Sequence, residues 1–297
     1  MKSILVPLDG SALAEHGLAF AKTIARTAPA KLRLVLVHEP AELRSGAVVR
    51  AEAALRRAER AYLDRVVDGL KAEGLPDVTA VVLKGAPKRE LTRYADERDP
   101  DLVVLATHGR GGISRAWFGS VADHLVQNLA APVVAVHAGE AAPAEAPVER
   151  IMVALDGSKA AEAVLEPAAE LGRLLDAELL IRRVVEPVPL PADPLLPVSV
   201  AYDSALTAEL EAGARDYVDQ QVSRLAASGV RVSGKAVVGH GAAATLIDAA
   251  VEERAGLVAL TTRGRGGWRR LGLGSVADKV MRGAPCPVLL YRRGKKS

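Results

Sequence analysis

The sequence has little of several features that mark particular classes of protein. It contains one cysteine, Cys286, so it can form neither an internal disulfide nor a metal site with several thiolate ligands. No stretch approaches the roughly 18 consecutive apolar residues of a membrane span, and the start, MKSILVPLDGS, lacks the apolar core of a signal peptide. A net charge of +3 is too small to indicate nucleic acid as the main partner. We therefore expect a cytoplasmic protein with no membrane or nucleic-acid role.

What the sequence does have is length, apolar content and an internal repeat. Its 297 residues, 49% of them hydrophobic, are long for one domain and sufficient for two cores. ILVPLDGS from Ile4 recurs as IMVALDGS from Ile151, an offset of 147 residues. From Tyr62, which matches Tyr217, the offset is 155. The chain therefore repeats itself, with an insertion in the second copy.

Two proline-rich segments explain the organisation of the repeats. PVPLPADPLLP, residues 187–197, accounts for the insertion, because repeated prolines favour an extended excursion over a helix. AGEAAPAEAPVE, residues 138–149, has no apolar period and is typical of a linker. We predict two domains, residues 1–140 and 148–297.

Within each half, short apolar runs alternate with helical patterns. SILVPL, LRLVLVH, VTAVVL, DLVVLAT and PVVAVH are continuous apolar runs, as in parallel strands that are covered on both faces. Strands that alternate with helices predict the α/β class. We expect two tandem doubly wound domains, each a five-stranded parallel sheet flanked by helices in a Rossmann-like manner.

The first helix of each half has a recognisable pattern. One helical face is formed by Leu13, Gly17, Phe20 and Ile24. Ser11 is a candidate for the N-cap of this helix. In the second half, Pro167 interrupts the matching helix, where we expect a kink. The second helix of the first half is predicted to stop at Gly74, and Pro87 suits the first turn of the third.

A glycine-rich motif occurs twice in the sequence. THGRGGISRAWFGSVAD begins at Thr107, and TRGRGGWRRLGLGSVAD begins at Thr262. Each copy follows a predicted fourth strand and leads into a helix that is predicted to start near Ser120 or Ser275. Backbone N–H groups of such a loop approach an anion closely, and the helix N-terminus adds partial positive charge. The repeated motif therefore indicates a phosphate-binding site in each half.

An aspartate follows the first strand of each half. If strands 1 and 4 are neighbours, Asp9 faces the Gly109 loop and Asp156 faces the Gly264 loop, because ligands of such sheets bind beyond the carboxyl ends of the strands. A carboxylate opposite a phosphate loop suits a ribose hydroxyl. A nucleotide fits this pairing.

The spacing within the loops separates this motif from the common nucleotide motifs. There is no G-x-x-x-x-G-K-[ST] motif, and no G-x-G-x-x-G follows the first strand. Instead, Gly109 is followed by nine residues and then Gly119 and Ser120, a pattern that the second half repeats. This spacing, with the DGS turn, the strand end VHEP and the APVV and CPVL final strands, resembles the universal stress protein family. The first glycine of the family's ATP-binding signature is replaced by Ala106 and, in the second half, by the bulkier Thr261.

The resemblance implies an ATP site in each half, with any Mg²⁺ brought by the nucleotide. It also implies the strand order 3-2-1-4-5 and an adenine nucleotide alpha hydrolase-like fold. In the first half the resemblance assigns to the site Pro7, Asp9, Val37, Ala106, Thr107, His108, Gly109, Arg110, Gly111, Gly112, Gly119, Ser120 and Val121. In the second half it assigns Ala154, Asp156, Val184, Thr261, Thr262, Arg263, Gly264, Arg265, Gly266, Gly267, Gly274, Ser275 and Val276.

These assignments have structural alternatives. Asp9 could instead form an Asx-turn in DGS or cap the following helix. Arg110 and Arg265 could neutralise phosphate or simply be solvated, as most surface arginines are. His108 is replaced by arginine in the repeat, which argues against a catalytic histidine, and Trp117 and its counterpart fit packing or partner contacts better than base stacking.

Three hypotheses about function follow. The leading one is an ATP-binding stress-response module with at most slow, incidental ATP hydrolysis, no catalytic residues and no protein-held metal. The second is a nucleotide-free scaffold of the same fold, and the third is an adenylating enzyme on a related fold. The apolar fifth strands, PVVAVH and PVLLYRR, would be sheet edges, so we expect a homodimer or an internal pseudo-dimer that pairs through them.

Overall fold

A computed structural model describes residues 1–28, 30–40, 46–107, 119–137, 148–190, 202–262 and 273–292. The chain divides into two compact units, one with Met1–Pro147 and Leu289–Ser297 and the other with Val148–Val288. The helices of the described residues include none that is both long and apolar enough to span a lipid bilayer. Residues 138–147 of the predicted linker and residues 191–197 of the proline-rich insertion lie outside the described residues.

The first unit alternates strands and helices. Its elements are β1 (Ser3–Leu8), α1 (His16–Thr27), β2 (Lys31–His38), α2 (Gly46–Ala72), β3 (Val78–Lys84), α3 (Pro87–Arg98), β4 (Leu102–Thr107), α4 (Ser120–Asn128) and β5 (Val133–His137). β1 pairs with β2 and β4, β2 with β3, and β4 with β5, all in parallel. Successive residues of β1, Ile4, Leu5 and Val6, are all buried although they point to opposite faces. Helices therefore cover both faces of this sheet.

The second unit repeats the arrangement. Its elements are β6 (Arg150–Ala154), a 3₁₀ turn (Ala161–Val164), α5 (Leu165–Leu175), β7 (Glu178–Val185), α6 (Ser204–Ala226), β8 (Val232–Val238), α7 (Ala242–Glu252), β9 (Leu257–Thr261), α8 (Ser275–Gly283) and β10 (Val288–Tyr291). β6 pairs with β7 and β9, and β7 with β8, again in parallel. The predicted α/β class, with parallel sheets flanked by helices, is confirmed.

Two helix boundaries follow the predicted signals. α2 ends at Ala72, and Gly74 takes the left-handed conformation at φ +91°, which glycine adopts without strain. α3 begins at Pro87, where the missing N–H of proline would have no partner within the helix. Both predictions are confirmed.

Two local predictions were wrong. α1 begins at His16 without a side-chain cap, so Ser11 does not cap it. Ser11 instead accepts a hydrogen bond from the backbone N–H of Ala14 at 3.1 Å, in the turn that precedes the helix. Pro167 does not kink a helix interior, because α5 begins at Leu165 and the proline lies within the first turn, where no N–H is needed. A 3₁₀ turn takes the place of the missing α-helical turns.

Candidate nucleotide site

Predicted site residues at three strand ends of the first unit lie side by side. The register of β1 with β2, continued by one step, places Asp9 level with Val37. The register of β1 with β4, continued by equal steps, places Asp9 level with Thr107. Since these strands are parallel, all three residues lie at the carboxyl edge of the sheet, where ligands of open α/β sheets bind.

The second unit has the same alignment. The register of β6 with β7 places Asp156 level with Val184, and the register with β9 places it level with Thr262. The two units therefore present an aspartate, a strand-2 residue and a threonine at matching positions.

Both aspartates also stabilise a turn. Asp9 Oδ1 accepts hydrogen bonds from the Ser11 backbone N–H at 2.9 Å and from its hydroxyl at 2.6 Å. Asp156 Oδ1 accepts from the Ser158 backbone N–H at 2.8 Å. The intervening glycine of the first turn, Gly10, has φ +84°, which is why the sequence needs glycine there. The Asx-turn alternative is thus observed in both units.

The turn leaves part of the first carboxylate available. Asp9 is exposed, and within the described part of the chain its hydrogen bonds use Oδ1 alone. Asp156 is half-buried. A carboxylate whose one oxygen is held by a turn is a fixed acceptor, and its second oxygen can receive a ligand hydroxyl.

Close packing brings α1 to the end of β4. A Cβ atom added at Gly17 would lie 3.4 Å from the backbone nitrogen of Ala106. Ala106 is half-buried and Thr107 is buried, with its hydroxyl 3.4 Å from the carbonyl oxygen of Val136, to which it donates. The threonine side chain therefore contacts the backbone of the neighbouring strand β5.

Helices begin at the predicted positions beyond β4 and β9. α4 starts at Ser120 and α8 at Ser275, after the N-cap residues Gly119 and Gly274, neither of which supplies a side-chain cap. The first amides of a helix have no partner within it. In the second unit the Gly274 N–H donates to the Thr262 carbonyl at 2.8 Å, so the two ends of the glycine-rich loop meet.

Much of the predicted phosphate cradle lies outside the described residues. These positions are His108, Gly109, Arg110, Gly111 and Gly112 in the first unit, and Arg263, Gly264, Arg265, Gly266 and Gly267 in the second. Trp117 and Trp268, for which we predicted packing or partner contacts, also lie outside the described residues. Pro7 lies in β1, Ala154 ends β6, Thr261 ends β9, and Val121 and Val276 lie in the first turns of their helices. Within the described ranges no group of His, Cys, Asp and Glu could hold a metal ion.

The model of the universal stress protein family matches residues 1–137 and 147–292. The chain belongs to this family. The match covers both units, so this universal stress protein carries the family's domain twice.

Known relatives agree with this assignment. A universal stress protein of Thermus aquaticus, encoded in the QAH/OAS sulfhydrylase 3' region, is 33% identical over 135 residues, which are 46% of this chain and 98% of the relative. Universal stress protein Rv2005c of Mycobacterium tuberculosis is 30% identical over 201 residues, which are 66% of this chain and 63% of the relative. The structure of a universal stress protein from Archaeoglobus fulgidus has a TM-score of 0.73 at 20% identity, covering 98% of each chain. The last likeness shows that the fold is shared along the whole chain.

Sequence reasoning missed a tyrosine next to each aspartate of this universal stress protein. The Tyr62 hydroxyl is buried and makes no hydrogen bond of ordinary geometry with the described residues. Burial raises the pKa of Tyr62 well above its usual value, and the negative charges of Glu15 and Asp9 raise it further. The signal was present, because Tyr62 and Tyr217 are matched positions of the repeat.

The second tyrosine is better partnered. Burial raises the pKa of Tyr217 to about 12, and Glu162 raises it too. The Tyr217 hydroxyl lies 3.4 Å from Glu162 Oε1, and the guanidinium of Arg183 lies 5.0 Å from the centre of its ring. Lys159 Nζ is 3.3 Å from Glu162 Oε2. Arg183 and Lys159 therefore place positive charge beside Tyr217 and its glutamate partner.

Proposed function

We propose that this universal stress protein binds adenosine nucleotides, ATP foremost, at the carboxyl edge of each sheet, and that occupancy of these sites regulates a stress response. The observation that carries the proposal is the alignment, in both units, of the strand-1 aspartate with the ends of strands 2 and 4. A glycine-capped helix follows the fourth strand in each case.

The chemistry of this edge suits the parts of a nucleotide. The second oxygen of Asp9 would accept a hydrogen bond from a ribose hydroxyl, while the backbone at Val37 would meet the adenine edge. The first amides of α4 and the glycine-rich loop would face the phosphates, because helix N-termini favour anions. Mg²⁺ would arrive with ATP, held by phosphate oxygens and water. Any hydrolysis would be slow, so the nucleotide acts as a signal.

Ligand identification tests the proposal directly. The protein is purified gently and heat-denatured, and the released small molecules are identified and counted by mass spectrometry. We expect one or two adenosine nucleotides per chain. Calorimetry of the stripped protein should then show ATP binding, and replacement of Gly109 and Gly264 by phenylalanine should abolish it. No released nucleotide, together with no heat of binding at millimolar ATP, would refute the proposal.

A nucleotide-free scaffold is the second candidate, and the turn geometry favours it. The Asp9 carboxylate already accepts two hydrogen bonds within its own turn, so a purely structural role accounts for the aspartate. The same glycine replacements distinguish the two candidates, because a scaffold would keep its cellular function in that variant.

Assembly and location complete the proposal. We propose that the apolar fifth strands, β5 and β10, mediate pairing, either between the halves of one chain or between two chains of a homodimer. Light scattering of the purified protein measures which occurs. We also propose a cytoplasmic location, which cell fractionation tests.

A further inference from the structure

A histidine at the end of β2 is buried between two carboxylates. The His38 side chain is 1% exposed, with Nδ1 2.9 Å from Glu59 Oε2 and Nε2 3.4 Å from Glu52 Oε1. Both glutamates belong to α2 and lie two turns apart on one face. One ring thus bridges two points of the helix.

The two glutamates also provide the contacts between residues 49–61 of α2 and the rest of the unit. Between residues 49 and 61 every side chain is exposed except Glu52 and Glu59, which are partly buried. The first fully buried apolar side chain after this segment is Leu63. The contacts with His38 therefore hold more than three turns of helix against the strand end.

Protonation of the ring completes this cluster. A neutral imidazole has one N–H and presents a lone pair at its other nitrogen, whereas a protonated ring donates at both. Lys84 Nζ lies 3.9 Å from Glu52 Oε1, so with protonated His38 two positive charges face two negative ones. Within the described ranges these are the charged groups that α2 and β3 place beside the ring, and the facing end of β1, Pro7 and Leu8, is uncharged. Helix α3 also packs on β2, and its buried Glu90 lies against Gly85, whose N–H bonds to the His38 carbonyl. Loss of the ring proton would leave one partly buried carboxylate facing a lone pair.

The second unit shows that the fold does not need this cluster. By the repeat and the strand registers, uncharged residues occupy all four positions: Val185, Thr207, Ala214 and Val238. Val185 and Ala214 pack in a hydrophobic cluster with Ala236. The polar cluster is therefore an addition to the first unit.

The polar cluster around His38 lies next to the proposed adenine contact. His38 directly follows Val37, and its carbonyl accepts a hydrogen bond from the Gly85 N–H at 3.0 Å. We infer that protonated His38 is a positioning residue that clamps α2 to the end of β2 and fixes Val37 for the nucleotide, so that affinity falls with rising pH in the first unit alone. This inference rests on the proposed nucleotide site. Histidine is the side chain that ordinarily changes charge between pH 5 and 8, which sets the range to examine.

Calorimetry at pH 6 and pH 8 tests the inference in the full chain. Gly264→Phe removes binding at the second site and so isolates the first, Gly109→Phe isolates the second, and the same ATP is titrated into both. We expect the first site to bind roughly fivefold more weakly at pH 8 than at pH 6, the low end of ordinary coupling between sites. The second site reports how the protonation of ATP itself affects binding. Equal pH ratios at the two sites would overturn the inference.

Two variants of the first unit separate positioning from structure. The triple change His38→Val, Glu52→Thr and Glu59→Ala installs the residues of the second unit, which that unit already packs. His38→Gln keeps a donor for Glu59 but cannot titrate. Both should make the pH ratio of the first site equal to that of the second. A ratio that persists in either variant would refute the role of His38.

Hydrogen exchange of the nucleotide-free protein tests whether His38 clamps α2, and it does so even if neither site binds ATP. After correction for the intrinsic pH dependence of exchange, amides around Glu52 and Glu59 should lose protection several-fold from pH 6 to pH 8, while those around Thr207 should not. Absence of binding with this loss would reject the proposed function and keep the clamp. Unchanged protection would reject the clamp itself.

Discussion

Two substitutions at Asp9 separate its role in the turn from its role toward a ligand. Asp9→Asn keeps a carbonyl oxygen that can accept from Ser11 N–H and hydroxyl, now 2.9 and 2.6 Å from Oδ1, but removes the negative charge. Asp9→Ala removes both. The matched pair Asp156→Asn and Asp156→Ala repeats the comparison at the second unit.

The structure determines how large the changes in stability and in ATP affinity should be. Ordinary hydrogen bonds contribute about 0.5 to 1.5 kcal/mol each, and Asp9 is exposed, so Asp9→Ala should lower the free energy of unfolding by about 1 kcal/mol and Asp9→Asn by little. A hydrogen bond from a ribose hydroxyl to the charged oxygen is worth about 1.5 to 3 kcal/mol, or roughly 10- to 100-fold in Kd. Asp9→Ala should lose that factor, and Asp9→Asn should lose a smaller part of it.

Urea unfolding and ATP calorimetry on the same samples provide the two measurements. A first site that keeps its affinity in Asp9→Ala, while stability falls as expected, would show that the aspartate serves the turn alone. Our reasoning about ribose recognition would then be wrong.

Three further predictions concern stability and reactivity. Glu253→Ala should destabilise the second unit by about 3 kcal/mol in urea unfolding, because Arg182, 8% exposed and bound at 2.6 and 2.8 Å, would keep a buried charge. This is the low end for a broken buried pair, since Glu253 is itself partly exposed. Adding Arg182→Val should restore most of the loss, because buried Val35 occupies the matched position in the first unit. Equal losses in the single and double variants would contradict this. Burial raises the pKa of the Cys286 thiol to about 12, so iodoacetamide at pH 8 should label it only after denaturation, and rapid labelling of the native protein would be the opposite result. The raised pKa of Tyr217 contributes stability that is present below pH 10 and declines as pH rises toward about 12; absorbance at 295 nm should show this tyrosine ionising late, and Tyr217→Phe should flatten the alkaline decline.

The fold was readable from the sequence because its signals are local and repeated. Continuous apolar runs predicted the strands, and Gly74 and Pro87 marked helix boundaries where backbone chemistry leaves little choice. The prediction for Ser11 was wrong because a serine hydroxyl can accept a backbone N–H of a turn as readily as one of a helix, and here a turn precedes the helix. Pro167 misled because the position of a helix start depends on packing that a local pattern does not contain.

The candidate site was predictable only in part, because a local sequence pattern does not show contacts between distant residues. The aspartates follow β1 and β6 in a motif that is visible in one line of sequence. By contrast, His38 and its partners are 14 and 21 residues apart, so nothing local links the ring to Glu52 and Glu59. Arg182 and Glu253 are separated by 71 residues. Pairs of this kind come together only once the sheet and its helices exist.

The length of α2 has a consequence for its composition. Its 27 residues extend about 40 Å, whereas the eight residues of β2 extend about 26 Å, so the helix outruns the sheet that supports it. Between residues 51 and 61 only Glu52 and Glu59 are partly buried, so the order of these turns also depends on intrinsic propensity, and their sequence, AEAALRRAERA, consists entirely of the strongest helix formers. A synthetic peptide of residues 46–72 should accordingly be measurably helical in water, which few segments cut from a globular domain are.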